Sequence, residues 1–195
     1  MCGRYVLYSD SEYDELRSIV AETENSLNFK PGEIFPTDTA PAVVGNKLKF
    51  FRWGFYTYDS KLIVNARGET VDSKPSFKKS FLGKRCLIPA NAYLEWKKES
   101  SGKVKYEIGL IERKLFFMAG LYNTFIDKHS NTFTGFVIIT TTANEKASQI
   151  HDRMPVILEP GQEKFWIDEK VNDINLLKSI IKPYDSSKTV YKTAQ

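Results

Sequence analysis

The sequence is poor in sulfur and in histidine. Its 195 residues include two cysteines, Cys2 and Cys86, and two histidines, His129 and His151. These four never stand at the short spacings of a zinc site, so neither a metal nor a cofactor is expected. No run approaches the ~20 apolar residues of a membrane span, so no membrane partner is expected either. The opening Met1-Cys2-Gly3-Arg4-Tyr5 lacks the apolar stretch of a secretory signal, and a cytoplasmic protein with reduced thiols is the expectation. A glycine-rich phosphate loop and a Gly-x-Ser-x-Gly elbow are both missing, as are internal repeats and low-complexity linkers.

Apolar mass is present in quantity. Hydrophobic residues make up 42% and aromatics 13%, enough for a sizeable core in a single domain spanning 1–195. Charged residues at 27% exclude a disordered chain with little to bury. The net charge of +4 and pI near 8.9 permit a nucleic-acid partner without requiring one.

Residues 2–8 alternate like a strand, so the N-terminus is expected to be held in the fold. Ser11 to Ala21 reads as a helix, capped by Ser11, with Tyr13, Leu16, Ile19 and Val20 on one face. Residues 25–39, with Pro31, Gly32 and Pro36, read as loop. Short strands are expected at 42–45, 47–53, 62–64, 85–88, 92–97, 104–110, 114–120, 121–126, 133–140 and 155–158. Short helices fit near 76–81, 144–150, 161–169 and 173–181. The sum is an α+β fold around a curved, mostly antiparallel sheet or half-open barrel, with short peripheral helices.

Cys2 is the most informative residue. Methionine aminopeptidase removes Met1 when the second residue is small, and Cys qualifies. The product carries an amine and a thiol on adjacent carbons, a pair no internal position offers. An aldehyde condenses with the amine to a Schiff base, and the thiol then closes a five-membered thiazolidine ring with a large proximity advantage. An α-amine near pKa ~7.7–8.0 is nucleophilic at neutral pH far more often than a lysine near ~10.4. A thiol near ~8.5 needs only a modest push to become thiolate. Class II glutamine amidotransferases also begin Met-Cys-Gly, so the tripeptide alone leaves two chemistries open.

Three further segments have strong local character. Asn65-Ala66-Arg67-Gly68-Glu69-Thr70 follows the apolar Leu62-Ile63-Val64, at the mouth of a strand. Arg85-Cys86-Leu87-Ile88-Pro89-Ala90 leads to Tyr93-Leu94-Glu95-Trp96. If Glu95 faces inward its pKa should rise and suit proton transfer near neutrality; if Leu94 and Trp96 take the core instead, Glu95 lies on the polar face. Alternation leaves both arrangements open. Thr140 to Asn144 precedes His151-Asp152-Arg153-Met154-Pro155, where His151 is the acid–base candidate. Lys74, Lys78, Lys79, Lys84 and Arg85, with Phe77 and Phe81 between them, leave open a passive single-strand binder or a solvated helix with its aromatics inward.

Taken in order, these segments resemble the SOS response-associated peptidase (SRAP) family of abasic-site processing proteins. The matching pieces are Met1 to Tyr5, the loop Phe35-Pro36-Thr37-Asp38-Thr39-Ala40-Pro41, Arg52-Trp53-Gly54, Asn65 to Thr70, Arg85 to Trp96 and Thr141 to Pro155. The family loop often reads Asn-Ile-Ala-Pro-Thr where this chain has Glu33-Ile34-Phe35-Pro36-Thr37. A proline and a second tryptophan usually follow Trp-Gly, but here stand Phe55-Tyr56-Thr57-Tyr58.

The resemblance implies a barrel-like sheet core and a groove for single-stranded DNA. It also implies removal of Met1, by the protein itself or by an aminopeptidase, and a thiazolidine crosslink between Cys2 and an abasic sugar. Carried onto this chain, Cys2 is the nucleophile, Asn65 positions the amine and sugar, Glu95 assists proton transfers, and His151 handles protons on the sugar. Arg4 and Arg67 would contact phosphates, with Pro36 and Trp96 along the groove. A monomer in the cytoplasm, nucleoid-associated when on DNA, protecting lesions during the damage response, completes the expectation.

Overall fold

The computed structural model describes residues 2–8, 22–23, 31–57, 61–100, 102–126 and 130–194. The helix expected over 11–21, and His129, lie outside the described residues. The first half of the chain supplies strands β1 (Arg4–Leu7), β2 (Glu22–Thr23), β3 (Gly32–Ile34), β4 (Thr39–Val44), β5 (Lys47–Trp53), β6 (Phe55–Tyr56), β7 (Leu62–Ile63) and β8 (Asn65–Arg67), then helix α1 (Pro75–Gly83). The second half supplies β9 (Arg85–Ala90), β10 (Ala92–Glu99), β11 (Gly102–Leu110), β12 (Phe116–Ile126), β13 (Thr132–Thr142), β14 (Arg153–Pro155), helices α2 (Gln162–Ile167) and α3 (Ile174–Ile180), and β15 (Thr189–Thr193).

Strands β13, β12, β9, β4 and β5 pair in that order, and β5 returns to β13 in parallel, which closes a five-stranded barrel. A second, wholly antiparallel sheet runs β15-β11-β10-β1-β3. The fold is therefore α+β with a barrel-like, mostly antiparallel core, as expected from the pattern.

The barrel closes at a seam that needs two glycines, Gly54 and Gly135. At the seam Gly135 pairs with Arg52 and Phe136 with Trp53, and the Gly54 N–H donates to the Phe136 carbonyl at 2.7 Å. Gly54 holds a φ of +135°, which only glycine adopts without strain. A Cβ on Gly135 would drive into the Gly54 carbonyl oxygen, which is backbone and cannot rotate away. Behind the seam, Trp53 stacks on Phe136 with centroids 6.1 Å apart and meets the edge of Tyr5 at 5.2 Å. Its indole N–H donates to the Val64 carbonyl at 3.0 Å, which fixes the approach to β8. Gly135→Ala is expected to cost about 1–3 kcal/mol, the overpacking range, read as a lower melting temperature. An unchanged melting curve would show that the seam yields.

Several elements differ from expectation for local reasons. Segments 114–120 and 121–126 form one continuous strand, because Gly120 is a packing site and not a turn. A Cβ there would lie 2.9 Å from Cys86 Sγ and from Ile88 Cγ1, so the missing side chain lets β9 and β12 close up. The expected loop at 25–39 contains β3. The helix expected at 144–150 is a single 3-10 turn, Ala147–Gln149, because the Asn144 side chain accepts from the Ala147 N–H at 2.8 Å. The strand expected at 155–158 ends at Pro155 and continues only as an isolated bridge between Met118 and Ile157.

The basic stretch around α1 has a structural role at its centre. Phe77 and Phe81 are buried, so they offer no stacking surface to a nucleic acid. Arg85 is buried as well, and its guanidinium donates to five backbone carbonyls. Nε reaches Trp166 at 2.6 Å, Nη1 reaches Phe81 and Leu82 at 2.8 Å each, and Nη2 reaches Asp168 at 2.6 Å and Val171 at 2.8 Å. This one cation ties the end of α1 and the segment after α2 to the barrel.

Candidate active site

Strand β1 lies between β10 and β3, with Tyr5 facing Tyr93 on one side and Ile34 on the other. The chain just before it is pinned accordingly. Cys2 is fully buried, and its thiol donates to the Arg4 carbonyl at 3.5 Å. The Cys2 carbonyl accepts a hydrogen bond from Asn65 Nδ2 at 2.8 Å. Asn65 opens β8, which is held in parallel against β13 by the pairs Asn65–Ile138, Ala66–Ile139 and Arg67–Thr140. Ala66 is buried in the core, so strand alternation turns Asn65 and Arg67 to the other face. Asn65 Oδ1 is buried without a hydrogen-bond partner among the described residues.

Glu95 faces inward on β10, 4% exposed, which decides between the two orientations the sequence left open. Leu94 is buried too, while Trp96 is half-buried. Burial raises the Glu95 carboxyl above its ordinary 4.5, and Asp152 raises it further, while the positive charge of His151 opposes the shift. Burial also raises the Cys2 thiol, with the Glu95 charge adding to it. Burial thus shifts both groups toward their neutral forms.

A raised carboxyl has a fixed consequence for stability. Between 4.5 and its folded value, native Glu95 keeps a proton that the unfolded chain has released, so stability falls as pH rises through that window. Glu95→Gln removes this penalty. Its melting temperature should exceed the parent's at pH 7, and the two should converge below pH 4.5. A Gln variant less stable at pH 7 would contradict a carboxyl raised by inward burial.

His151 follows the 3-10 turn. Its Nδ1 lies 2.8 Å from Asp152 Oδ1 and accepts from the Arg153 N–H at 3.0 Å. The neutral ring suits the second contact and the protonated ring the first, so either charge state has a partner. Arg153 fixes the loop. Its guanidinium grips Glu69 in a bidentate pair at 2.6 and 2.9 Å and donates to the Thr140 carbonyl at 2.8 Å. The Arg153 hydrogen bonds hold the Glu69 carboxylate below its usual range. Arg153 and Glu69 are thus positioning residues that the sequence flagged only as neighbours of His151 and Asn65.

The four residues expected to do chemistry are brought together: Asn65 touches Cys2, and Glu95 senses the charge of His151 and acts on the Cys2 thiol. Of the residues expected to hold DNA, three share one surface. The Arg4 guanidinium lies 4.4 Å from the Phe35 ring centroid and 5.0 Å from that of Trp96, and Pro36 follows Phe35. Glu33 steadies Arg4 at 3.5 Å. Arg67 is exposed at the end of β8, on the same strand face as Asn65 and near Glu69. Phe35, 40% exposed, belongs to this surface although the sequence reading placed its neighbour Pro36 there and not Phe35; no local pattern distinguishes it from a core aromatic.

A closed barrel joined to a second sheet, with an N-terminal cysteine fixed between an asparagine and a buried glutamate, defines a narrow class of protein. The chain belongs to the SOS response associated peptidase (SRAP) family, whose family model matches residues 1–195. Abasic site processing protein YoqW of Bacillus subtilis (strain 168) is 38% identical over 95% of this chain and 88% of its own length. Abasic site processing protein YedK of Escherichia coli (strain K12) is 27% identical over 88% of this chain and 82% of its own. A crystal structure from Bacteroides thetaiotaomicron superposes with a TM-score of 0.88, covering 100% of this chain and 92% of that one at 24% identity, a likeness of fold. Among the described residues no helix is long and apolar enough to cross a membrane.

Proposed function

We propose that the chain, once Met1 is removed, captures abasic sites in single-stranded DNA as a covalent thiazolidine on Cys2. The observation that carries this reading is the 2.8 Å hydrogen bond from Asn65 to the Cys2 carbonyl, which fixes the residue bearing both nucleophiles within reach of the charge of the buried acid Glu95. The names of the relatives point to the same lesion.

The chemistry follows from the groups present. The α-amine attacks the aldehyde carbon of the ring-opened sugar, and the carbonyl π pair moves to oxygen. Protonated Glu95 gives that oxygen a proton, a proton from the ammonium nitrogen passes to the resulting hydroxyl, and water leaves as the nitrogen lone pair forms the C=N bond, which is protonated on nitrogen. The Cys2 sulfur then attacks the same carbon. The C–S bond forms, the C=N π pair returns to nitrogen, and the thiol proton passes to Glu95. His151 exchanges protons with the sugar hydroxyls. Arg4, stacked between Phe35 and Trp96, meets a phosphate or a flanking base, and Arg67 meets a phosphate on the other side. Because these contacts read backbone and a missing base, little sequence preference follows.

The test is intact mass spectrometry of the mature protein after incubation with a single-stranded oligonucleotide carrying one abasic site, beside the undamaged strand. The expected result is a heat-stable species of protein plus oligonucleotide less one water, with the abasic strand only. No such species from protein shown to lack Met1 rejects the reading. Release of ammonia from glutamine would instead favour an amidohydrolase.

A further inference from the structure

Two hydroxyls beside Cys2 have no assigned task. Tyr5 and Tyr93 face each other across β1 and β10, and Tyr93 shares its sheet face with Glu95, two residues along. Tyr5 is fully buried and Tyr93 is 1% exposed, yet neither Oη has a hydrogen-bond partner among the described residues. A buried hydroxyl without a partner costs stability, and phenylalanine would fill the same space without that cost. Two such groups on facing residues, both near enough for the Cys2 charge to act on them, ask for an acceptor that arrives only during the reaction.

The resting thiol cannot supply that acceptor. Its sulfur donates to the Arg4 carbonyl, an arrangement that keeps the proton on sulfur. Asn65 commits one of its two amide N–H donors to the Cys2 carbonyl. Glu95, when ionised, offers only acceptors and repels a thiolate. A buried thiolate needs donors, and the Tyr5 and Tyr93 hydroxyls are uncommitted. Both phenols are held well above 10.0 by burial, with the Cys2 charge adding to the shift, so they stay protonated and able to donate.

We infer that Tyr93, with Tyr5 opposite it, donates hydrogen bonds to the Cys2 sulfur as it becomes a thiolate and so activates it for ring closure. In that step the S–H bond breaks, its proton moves to Glu95, and the electron pair left on sulfur accepts from the two phenols before it forms the C–S bond. Transfer to Glu95 also neutralises the carboxylate that repels the sulfur. The phenols neither gain nor lose a proton. The titratable groups facing the sulfur are Glu95 and Tyr93 from β10, Tyr5 from β1 and the chain's own amine. The inference rests on Cys2 being the nucleophile, as proposed above.

The test needs no DNA in its first arm. Mature wild-type protein, Tyr93→Phe, Tyr5→Phe and the double variant are treated with iodoacetamide between pH 6 and 10, and modification of Cys2 is followed by peptide mass, with the absence of label on fully buried Cys86 reporting that the fold stays intact. Each single variant should alkylate Cys2 about tenfold more slowly at neutral pH, the loss of one hydrogen bond to a charged group, with its pH midpoint moved upward. Melting temperatures should be unchanged or higher. Wild-type profiles in the variants, or a loss of rate matched by a loss of melting temperature, overturn the inference. The second arm is adduct formation with the abasic strand. Adduct from wild type with unmoved alkylation profiles sinks this inference and leaves the proposed function standing. Moved profiles without adduct do the reverse.

Discussion

Mature Cys2→Ala protein is expected to form no heat-stable adduct with an abasic strand. The substitution removes the thiol and keeps the terminal amine, so the first condensation is still available. An imine made by that amine is reversible in water and is lost on heating. Ring closure makes the product durable in the parent, since an intramolecular nucleophile reaches effective molarities of ~10⁵–10⁸ M. The variant should therefore give a product on a denaturing gel only when borohydride reduces the imine first. The parent should give its product with or without reduction. A heat-stable, unreduced adduct from Cys2→Ala would place the bond on another residue, a lysine for example. Asn65 bonds to the backbone carbonyl of residue 2, so its contact survives the substitution, and the comparison isolates the sulfur.

Arg85→Met should be the most damaging substitution away from the site. Methionine keeps the apolar stem and removes every donor. Five carbonyls, at Phe81, Leu82, Trp166, Asp168 and Val171, then lose their partner. Buried carbonyls left unsatisfied cost about 1–3 kcal/mol each, and neighbours share the loss, so a total of roughly 3–5 kcal/mol is expected. For a chain of this size that is a fall in melting temperature of about 10 °C. Arg85→Lys should recover only part of it, because one ammonium cannot span five acceptors as a planar guanidinium does. A methionine variant that melts with the parent would mean that the segment after α2 is held by other contacts, chiefly the Trp166 indole N–H on the Cys86 carbonyl at 3.1 Å.

The contrast between Arg85 and Glu95 shows what a linear sequence conveys. Glu95 interrupts an apolar run and Arg85 opens one, and both prove to be buried. For Glu95 the doubt concerned only which face of β10 it takes, and pairing with β1 and β11 resolved it. For Arg85 the surroundings misled, because four lysines nearby suggested a basic surface. Its five partners are backbone carbonyls, which carry no residue-type signal.

The α+β class and most strands were legible because period-two alternation is local. Barrel closure was not, because it depends on a parallel contact between Gly135 and Arg52, far apart in the chain. Cys2, Asn65, Glu95 and His151 stood out as residue types with chemistry to offer. Tyr5, Tyr93, Glu69 and Arg153 did not, since their importance lies in the partners they have or lack in three dimensions.

The placement of β1 has a temporal consequence. Its partners lie downstream, β3 from Gly32 and β10 from Ala92, so Tyr5 meets Tyr93 only after half the chain has left the ribosome. A nascent or unfolded copy carries the same amine and thiol on residue 2, but neither Asn65 nor Glu95 beside them. On the proposed mechanism it is expected to react with aldehydes only as free cysteine does. High contact order at this one strand thus ties the positioning of Cys2 by Asn65 and Glu95 to completed folding.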